Sequence, residues 1–168
     1  MATATELEFV ELKSAAALAV QLSAKSGPDP ASIGAAMHPA FEAAMSFVTR
    51  HGLMMTGQPR TIYTDYRSDG VSFTVALPVA AAPEQPVEES SIRVDTLPAL
   101  KTYRFTHHGP YPNLAHTYSQ ITAFMIERGW MKSEADWARY MPMWEEYMND
   151  PDTTPPSELI THIYLPVP

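Results

Sequence analysis

Val75-Ala76-Leu77-Pro78-Val79 and Ile163-Tyr164-Leu165-Pro166-Val167 are one closing strand written twice, and reading them as copies decides the fold. Upstream of each lies an amphipathic stretch that stops at a glycine, Arg50-His51-Gly52-Leu53 in the first half and Glu127-Arg128-Gly129-Trp130 in the second. Further upstream stand a Gly-Pro turn, Gly27-Pro28 or Gly109-Pro110, and an opening strand, Ala17-Leu18-Ala19-Val20 or Ala99-Leu100-Lys101-Thr102-Tyr103. Two copies of one unit tend to pack about a pseudo-two-fold axis, because the apolar surface each leaves open is complementary to the other's. The groove along that axis is the expected seat of function.

Between these landmarks the pattern fills in. Glu6 to Leu12 alternates charged and apolar residues, and Ala16 to Ala24 could pair with it. From Ile33 the positions Met37, Phe41, Met45 and Val48 follow one helical face, with Pro39 starting or kinking the helix. Gly52 ends it as a left-handed cap. Pro59 to Tyr66 and Val71 to Pro78 flank Arg67-Ser68-Asp69-Gly70 and read as a hairpin. Ala80 to Glu89, rich in Pro, Ala and Glu, joins the copies.

The second copy opens with strands over Ser91 to Thr96 and Leu97 to His107. Its helix carries Leu114, Tyr118, Ile121, Met125 and Arg128 on one stripe, with Phe124 beside it, and is capped by Gly129. A short helix before Trp137, a strand over Met143 to Met148, an Asn149-Asp150-Pro151 turn and a strand over Leu159 to Val167 complete it. The expected fold class is α+β: a tandem duplication of a βαββ-type unit, antiparallel sheets, one long helix per half and a central cleft. A single domain over 1–168, with halves of about 1–82 and 90–168, is the expected organisation.

Composition narrows the chemistry. The absence of cysteine from the 168 residues excludes disulfides, thiolate catalysis and Cys-based metal sites. The start Met1-Ala2-Thr3-Ala4-Thr5-Glu6 lacks a signal-peptide pattern and no apolar run suits a membrane span, so a cytoplasmic protein is expected. Lys and Arg number 11 against 19 Asp and Glu, a net charge of -8 that opposes direct nucleic-acid binding. His107, His108 and His116 do not show a metal-binding spacing, and no cofactor motif occurs. No metal and no cofactor are expected.

His107-His108-Gly109-Pro110-Tyr111, Trp144-Glu145-Glu146-Tyr147-Met148-Asn149-Asp150-Pro151, Thr154-Pro155, Glu158-Leu159 and the terminal Ile163 to Val167 resemble the GyrI-like small-molecule-binding family, which also supplies effector-binding domains of AraC-type and MerR-type multidrug regulators. The resemblance is strong from about Lys101 onward and weaker before it. It implies a cleft for amphipathic, often aromatic and cationic compounds, with an acid in a Glu-x-Tyr strand before the Asn-Asp-Pro turn, positions held here by Glu145 and Tyr147. It also implies an alternative, since some stand-alone members are understood to hydrolyse cyclopropane-bearing genotoxins with a Trp-Glu-x-Tyr element that Trp144 to Tyr147 matches. A gyrase-inhibitor-like interaction protein is a further alternative. No DNA-binding module precedes the resembling segment, so the expectation is a stand-alone binding protein rather than a one-chain transcription factor; a protein partner or a second copy stays open.

Alternation puts Met143, Glu145 and Tyr147 on one face of their strand and Trp144 and Glu146 on the other. A carboxylate walled by rings is desolvated, which raises its proton affinity and favours an arriving cation; contact of that cation with a ring adds about 0.5–2 kcal/mol. Tyr63 and Tyr111 are candidates for the aromatic wall, and Trp137, Trp144 and His38 are further ligand-binding candidates. In the hydrolytic alternative Glu145 directs water and Tyr147 bonds the developing oxyanion.

Overall fold

The computed structural model describes residues 7–89 and 91–168. Glu6, at the head of the first strand reading, lies outside them. The elements in chain order are β1 (Glu8–Lys13), β2 (Ala17–Ser26), α1 (Pro30–Arg50), β3 (Arg60–Arg67), β4 (Gly70–Pro78), β5 (Ile92–Leu97), β6 (Lys101–His108), α2 (Leu114–Glu127), β7 (Met143–Tyr147) and β8 (Ile160–Pro166). A short 3-10 helix over Glu134–Tyr140 precedes β7.

The strands form one antiparallel sheet in the order β1-β6-β8-β7-β3-β4-β2-β5. The order is its own mirror under exchange of the halves. Each unit contributes strand, helix, strand, strand, as β2-α1-β3-β4 and β6-α2-β7-β8, and the units meet where β3 pairs with β7. The leading strands are exchanged: β1 pairs with β6 of the second unit, β5 with β2 of the first.

That exchange bends the sheet. Ser14-Ala15-Ala16 joins β1 to β2 and can span only about 15 Å, whereas these strands would stand roughly 29 Å apart in a flat sheet at about 4.8 Å per strand. The sheet therefore curls until its ends meet. Glu8 faces Thr106, Lys13 faces Lys101, Ala17 faces Leu97 and Leu22 faces Ile92, so β1-β2 and β5-β6 form a two-stranded ribbon whose register continues through the bend. At the bend the Ser14 N–H donates to the Leu100 carbonyl at 2.7 Å, and the Ser14 hydroxyl accepts from the Leu100 N–H at 3.0 Å.

Both helices lie on one face and end alike. Gly52 and Gly129 have φ of 62° and 75°. In each case the next residue's N–H returns to a carbonyl five positions back, Leu53 to Val48 at 3.0 Å and Trp130 to Met125 at 2.9 Å, the paired closure that a left-handed residue permits. The start of α1 is earlier than its apolar stripe suggests. Asp29 accepts from the Ser32 N–H at 3.0 Å and Pro30 takes the first turn, so Pro39 falls inside the helix.

The buried face of α1 is Ala40, Ala44, Phe47 and Val48, while Met45 is 42% exposed. Small side chains bring this helix onto β2 and β4, and the larger Met45 points away. On α2 the buried residues are Thr117, Ile121 and Met125, and Trp130 stacks on Tyr103 at 4.2 Å. Ala44→Leu is expected to cost about 1–3 kcal/mol through overpacking and Met45→Ala to stay within about 0.5 kcal/mol, as measured by urea denaturation.

Candidate functional site

The centre of the sheet determines what can stand there. Ala76 pairs with Arg60 and Tyr164 pairs with Trp144. Aligning Ala76-Leu77-Pro78 with Tyr164-Leu165-Pro166 therefore makes Thr61 the counterpart of Glu145, and Tyr63 the counterpart of Tyr147. Thr61 and Glu145 also face each other across the β3–β7 pair, so the pseudo-two-fold axis passes between them. The only acid of this central pair comes from the second half.

Glu145 is 4% exposed and is held by phenols. Tyr63 donates to its Oε1 at 3.2 Å, Tyr147 to the same oxygen at 2.9 Å, and Tyr118 of α2 to Oε2 at 2.5 Å. The Tyr147 oxygen lies 2.9 Å from Thr61 Oγ1. A phenol has one proton, so a Tyr147 that donates to Glu145 leaves Thr61 as the donor in the second bond. His107 is buried beside the cluster, with Nδ1 2.6 Å from Thr117 Oγ1 and Nε2 3.1 Å from the Pro110 carbonyl.

The electrostatics follow from burial. Removal from water raises the Glu145 proton affinity above the ordinary glutamate range, while the hydrogen bonds from Tyr118, Tyr147 and Tyr63 and the nearby His107 pull it back. Burial, and then the Glu145 charge, push the Tyr63, Tyr118 and Tyr147 hydroxyls well above the usual phenol range. They remain neutral donors. Among the described residues no Lys or Arg pairs with Glu145.

Rings close over the acid. Tyr111 meets Tyr147 edge-on at 5.7 Å, Phe41 of α1 meets it at 6.1 Å, and Trp137 meets Tyr118 at 5.8 Å while donating to Thr122. The sequence candidates Glu145, Tyr147, Tyr63, Tyr111 and Trp137 thus come together. Trp144 stands on the opposite sheet face, stacked on Tyr164 at 4.9 Å. His38, one turn before Glu42 on exposed helix surface, lies 3.0 Å from that carboxylate; it is mid-helix because α1 begins at Pro30. Tyr118 is a residue of this cluster that the sequence pattern does not single out: its place on an apolar stripe reads as core, and a hydroxyl on that stripe is the available signal. No group of His, Cys, Asp and Glu among the described residues is arranged to hold a metal ion. Surface cavities of about 650 and 510 Å³ lie elsewhere, one beside the Ala80 to Glu89 connection and one on the far face of the sheet.

A buried acid under an aromatic cover thus stands where the two pseudo-symmetric halves meet. The GyrI-like small molecule binding domain model matches residues 28–168, and the chain belongs to that family. The fold is similar to the EcmrR C-terminal domain, with TM-score 0.73 and 19% identity over 96% of this chain and 98% of that one. In an EcmrR–DNA complex the match covers 57% of the EcmrR chain. SAV2435 bound to tetraphenylphosphonium is similar with TM-score 0.57 and 15% identity, over 98% of this chain and 94% of that one. A hydrolase from Listeria innocua is similar with TM-score 0.54 and 14% identity, over 99% and 94%. No curated protein matches in sequence. Among the described residues no helix is long and apolar enough to cross a membrane.

The raised proton affinity of Glu145 sets a pH dependence with a definite sign. Between the ordinary value of 4.5 and the raised native value the folded chain holds more protons than the unfolded one, so this residue's contribution to stability falls as pH rises through that interval and stays lower above it. Glu145→Gln lacks the titration. The melting temperature of the wild type minus that of the variant is expected to decrease between about pH 4 and about pH 8, by thermal denaturation at matched ionic strength.

Proposed function

We infer that the chain captures amphipathic aromatic cations between α1 and α2, with Glu145 as the countercharge. The supporting observation is a carboxylate at 4% exposure surrounded by hydroxyl donors, with no Lys or Arg paired to it among the described residues. A buried carboxylate held by hydroxyl donors alone keeps a desolvation cost that those bonds offset only in part, and an arriving cation offsets more of it. Tyr63, Tyr118 and Tyr147 would turn their ring faces or oxygens to the guest, and Tyr111 and Trp137 would complete the wall. The tetraphenylphosphonium carried by SAV2435, a protein of the same fold, is a guest of this chemistry.

Admission of a guest requires the rings over Glu145 to move, since Tyr111 and Phe41 rest against Tyr147. Side-chain rearrangement on this scale is common on binding. The two halves act as one unit in this reading, because the acid lies on their shared axis. His38 and Trp144 fall outside the grouping.

A second reading has a specific support: a glutamate of raised proton affinity 2.9 Å from a phenol is also suited to directing water onto a strained carbon. In that case Glu145 is the base and Tyr147 the donor to the oxyanion. Calorimetric titration with tetraphenylphosphonium is expected to give saturable binding that strengthens as pH rises through the Glu145 titration. Glu145→Gln should weaken it by about 30-fold or more, in keeping with about 2–5 kcal/mol for removing one partner of a buried charge pair. Turnover of a cyclopropane-bearing electrophile by the wild type, lost in the same variant, would establish the second reading; absence of saturable binding would refute the first.

A further inference from the structure

Two rings rest against Tyr147, and they are mounted differently. Phe41 belongs to α1, a helix of 21 residues packed on β2 and β4. Tyr111 belongs to the short connection between β6 and α2, where a single 3-10 turn covers Tyr111–Asn113. This connection pivots at Gly109, whose φ of 116° is open to glycine and costly for other residues. A Cβ there would meet no atom within 4 Å, so glycine serves conformation rather than space. Pro110 and Pro112 fix the backbone on either side of Tyr111. Pro110-Tyr111-Pro112 is therefore a stiff block next to a permissive residue.

His107 ties that block down. The Gly109 N–H donates to the Leu159 carbonyl at 2.8 Å, at the pivot itself, and the Asn113 N–H donates to the Pro110 carbonyl at 3.0 Å, closing the turn on itself. The second bond to the Pro110 carbonyl comes from the sheet, from His107 Nε2 on β6 at 3.1 Å. A carbonyl only accepts, so Nε2 carries the hydrogen, and in the neutral ring Nδ1 accepts from the Thr117 hydroxyl at 2.6 Å. His107 is 3% exposed and Thr117 6%, and Thr117 directly precedes Tyr118, the donor to Glu145 Oε2. His107 and Tyr147 both pair with Thr161, so His107 stands on the sheet face of the Glu145 cluster. One buried ring thus joins the turn that carries Tyr111 to the helix that carries Tyr118.

We propose that guests reach Glu145 where Pro110-Tyr111-Pro112 swings aside about Gly109, and that His107 is the positioning residue that latches this block shut. This route deepens, and rests on, cation capture at Glu145. Lifting α1 instead would expose Ala40, Ala44, Phe47 and Val48, all buried, whereas lifting the block breaks the His107 bond and frees a ring that is already half-buried. Exposing several buried apolar side chains costs more than one net hydrogen bond.

The first readout needs no guest. By hydrogen exchange with mass spectrometry, the Gly109, Tyr111 and Asn113 amides are expected to exchange about three- to tenfold faster, relative to those of β4, in His107→Phe than in the wild type. His107→Gln, which returns an N–H toward the Pro110 carbonyl, should restore the protection. In stopped-flow mixing with tetraphenylphosphonium, read by tryptophan fluorescence, His107→Phe should speed association and dissociation alike, about three- to tenfold, with their ratio changed less than about threefold, and His107→Gln should return both toward wild type. Simple damage to the site would speed dissociation alone. Circular dichroism and thermal unfolding verify that the variants fold; where His107→Phe does not, Thr117→Val, which leaves Nδ1 without its donor, takes its place with the same expectation. Unchanged exchange at the turn in a folded variant would overturn the latch, and unchanged guest kinetics with a loosened turn would overturn the route. No binding of tetraphenylphosphonium by the wild type would refute cation capture and the route with it, and exchange at the turn would still decide the latch.

Discussion

A single carboxylate on a pseudo-two-fold axis is the constraint from which the rest of this molecule can be understood. Cross-strand neighbours on one face of a sheet have Cβ atoms about 5 Å apart. Two identical halves would therefore set either two threonines or two glutamates side by side at the β3–β7 junction. Two buried carboxylates at that separation could not both ionise readily. The duplication is broken where symmetry would be most costly: Thr61 stands in one half and Glu145 in the other. The flanking tyrosines keep the symmetry, since Tyr63 and Tyr147 are counterparts and both reach Oε1.

The helices extend the same division. Counting back from the helix-ending glycines, Gly52 and Gly129, pairs Phe41 with Tyr118. The first half supplies a ring against Tyr147, whereas the second supplies a ring with a hydroxyl that bonds Oε2. The second half thus brings both the acid and its helix-borne donor, and the first closes the wall. That asymmetry agrees with the sequence, in which the family resemblance is strongest from about Lys101 onward.

Much of this was legible without coordinates, because the signals were local. Gly52 and Gly129 end helices through positive φ, the closing strands repeat Leu-Pro-Val, and Glu145 shares a face with Tyr147 by alternation alone. The unread parts depend on contacts distant in sequence. The exchange of β1 and β5 is set by pairing across 70 residues or more, from Leu22 with Ile92 to Glu8 with Thr106, whereas local pattern favours pairing β1 with its chain neighbour. On α1 the apolar stripe holds at Met37, Phe41 and Val48, which lie in or against the core, and fails at Met45, because Ala40 and Ala44 carry little hydrophobic signal although their smallness is what allows the helix to approach the sheet. Tyr118 needed the third dimension, since its bond to Glu145 joins a helix to a strand.

The exchanged strands also explain why one short strand can serve two environments. In an open sheet covered by helices on one side only, the residues opposite Glu145 would face water, and Arg60, Trp144 and Glu146 would be ordinary surface groups. The ribbon of β1-β2 with β5-β6 bends around that side and brings Leu12, Ser14 and Leu18 over it, so that polar side chains on the far face become buried ones. Once water is excluded, each donor there requires a partner or bears the cost of lacking one. The curl that carries β1 across to β6 is thus what turns the far face of β7 from surface into an enclosure, and the alternation of Trp144, Glu145, Glu146 and Tyr147 gives the two faces of one strand different side chains.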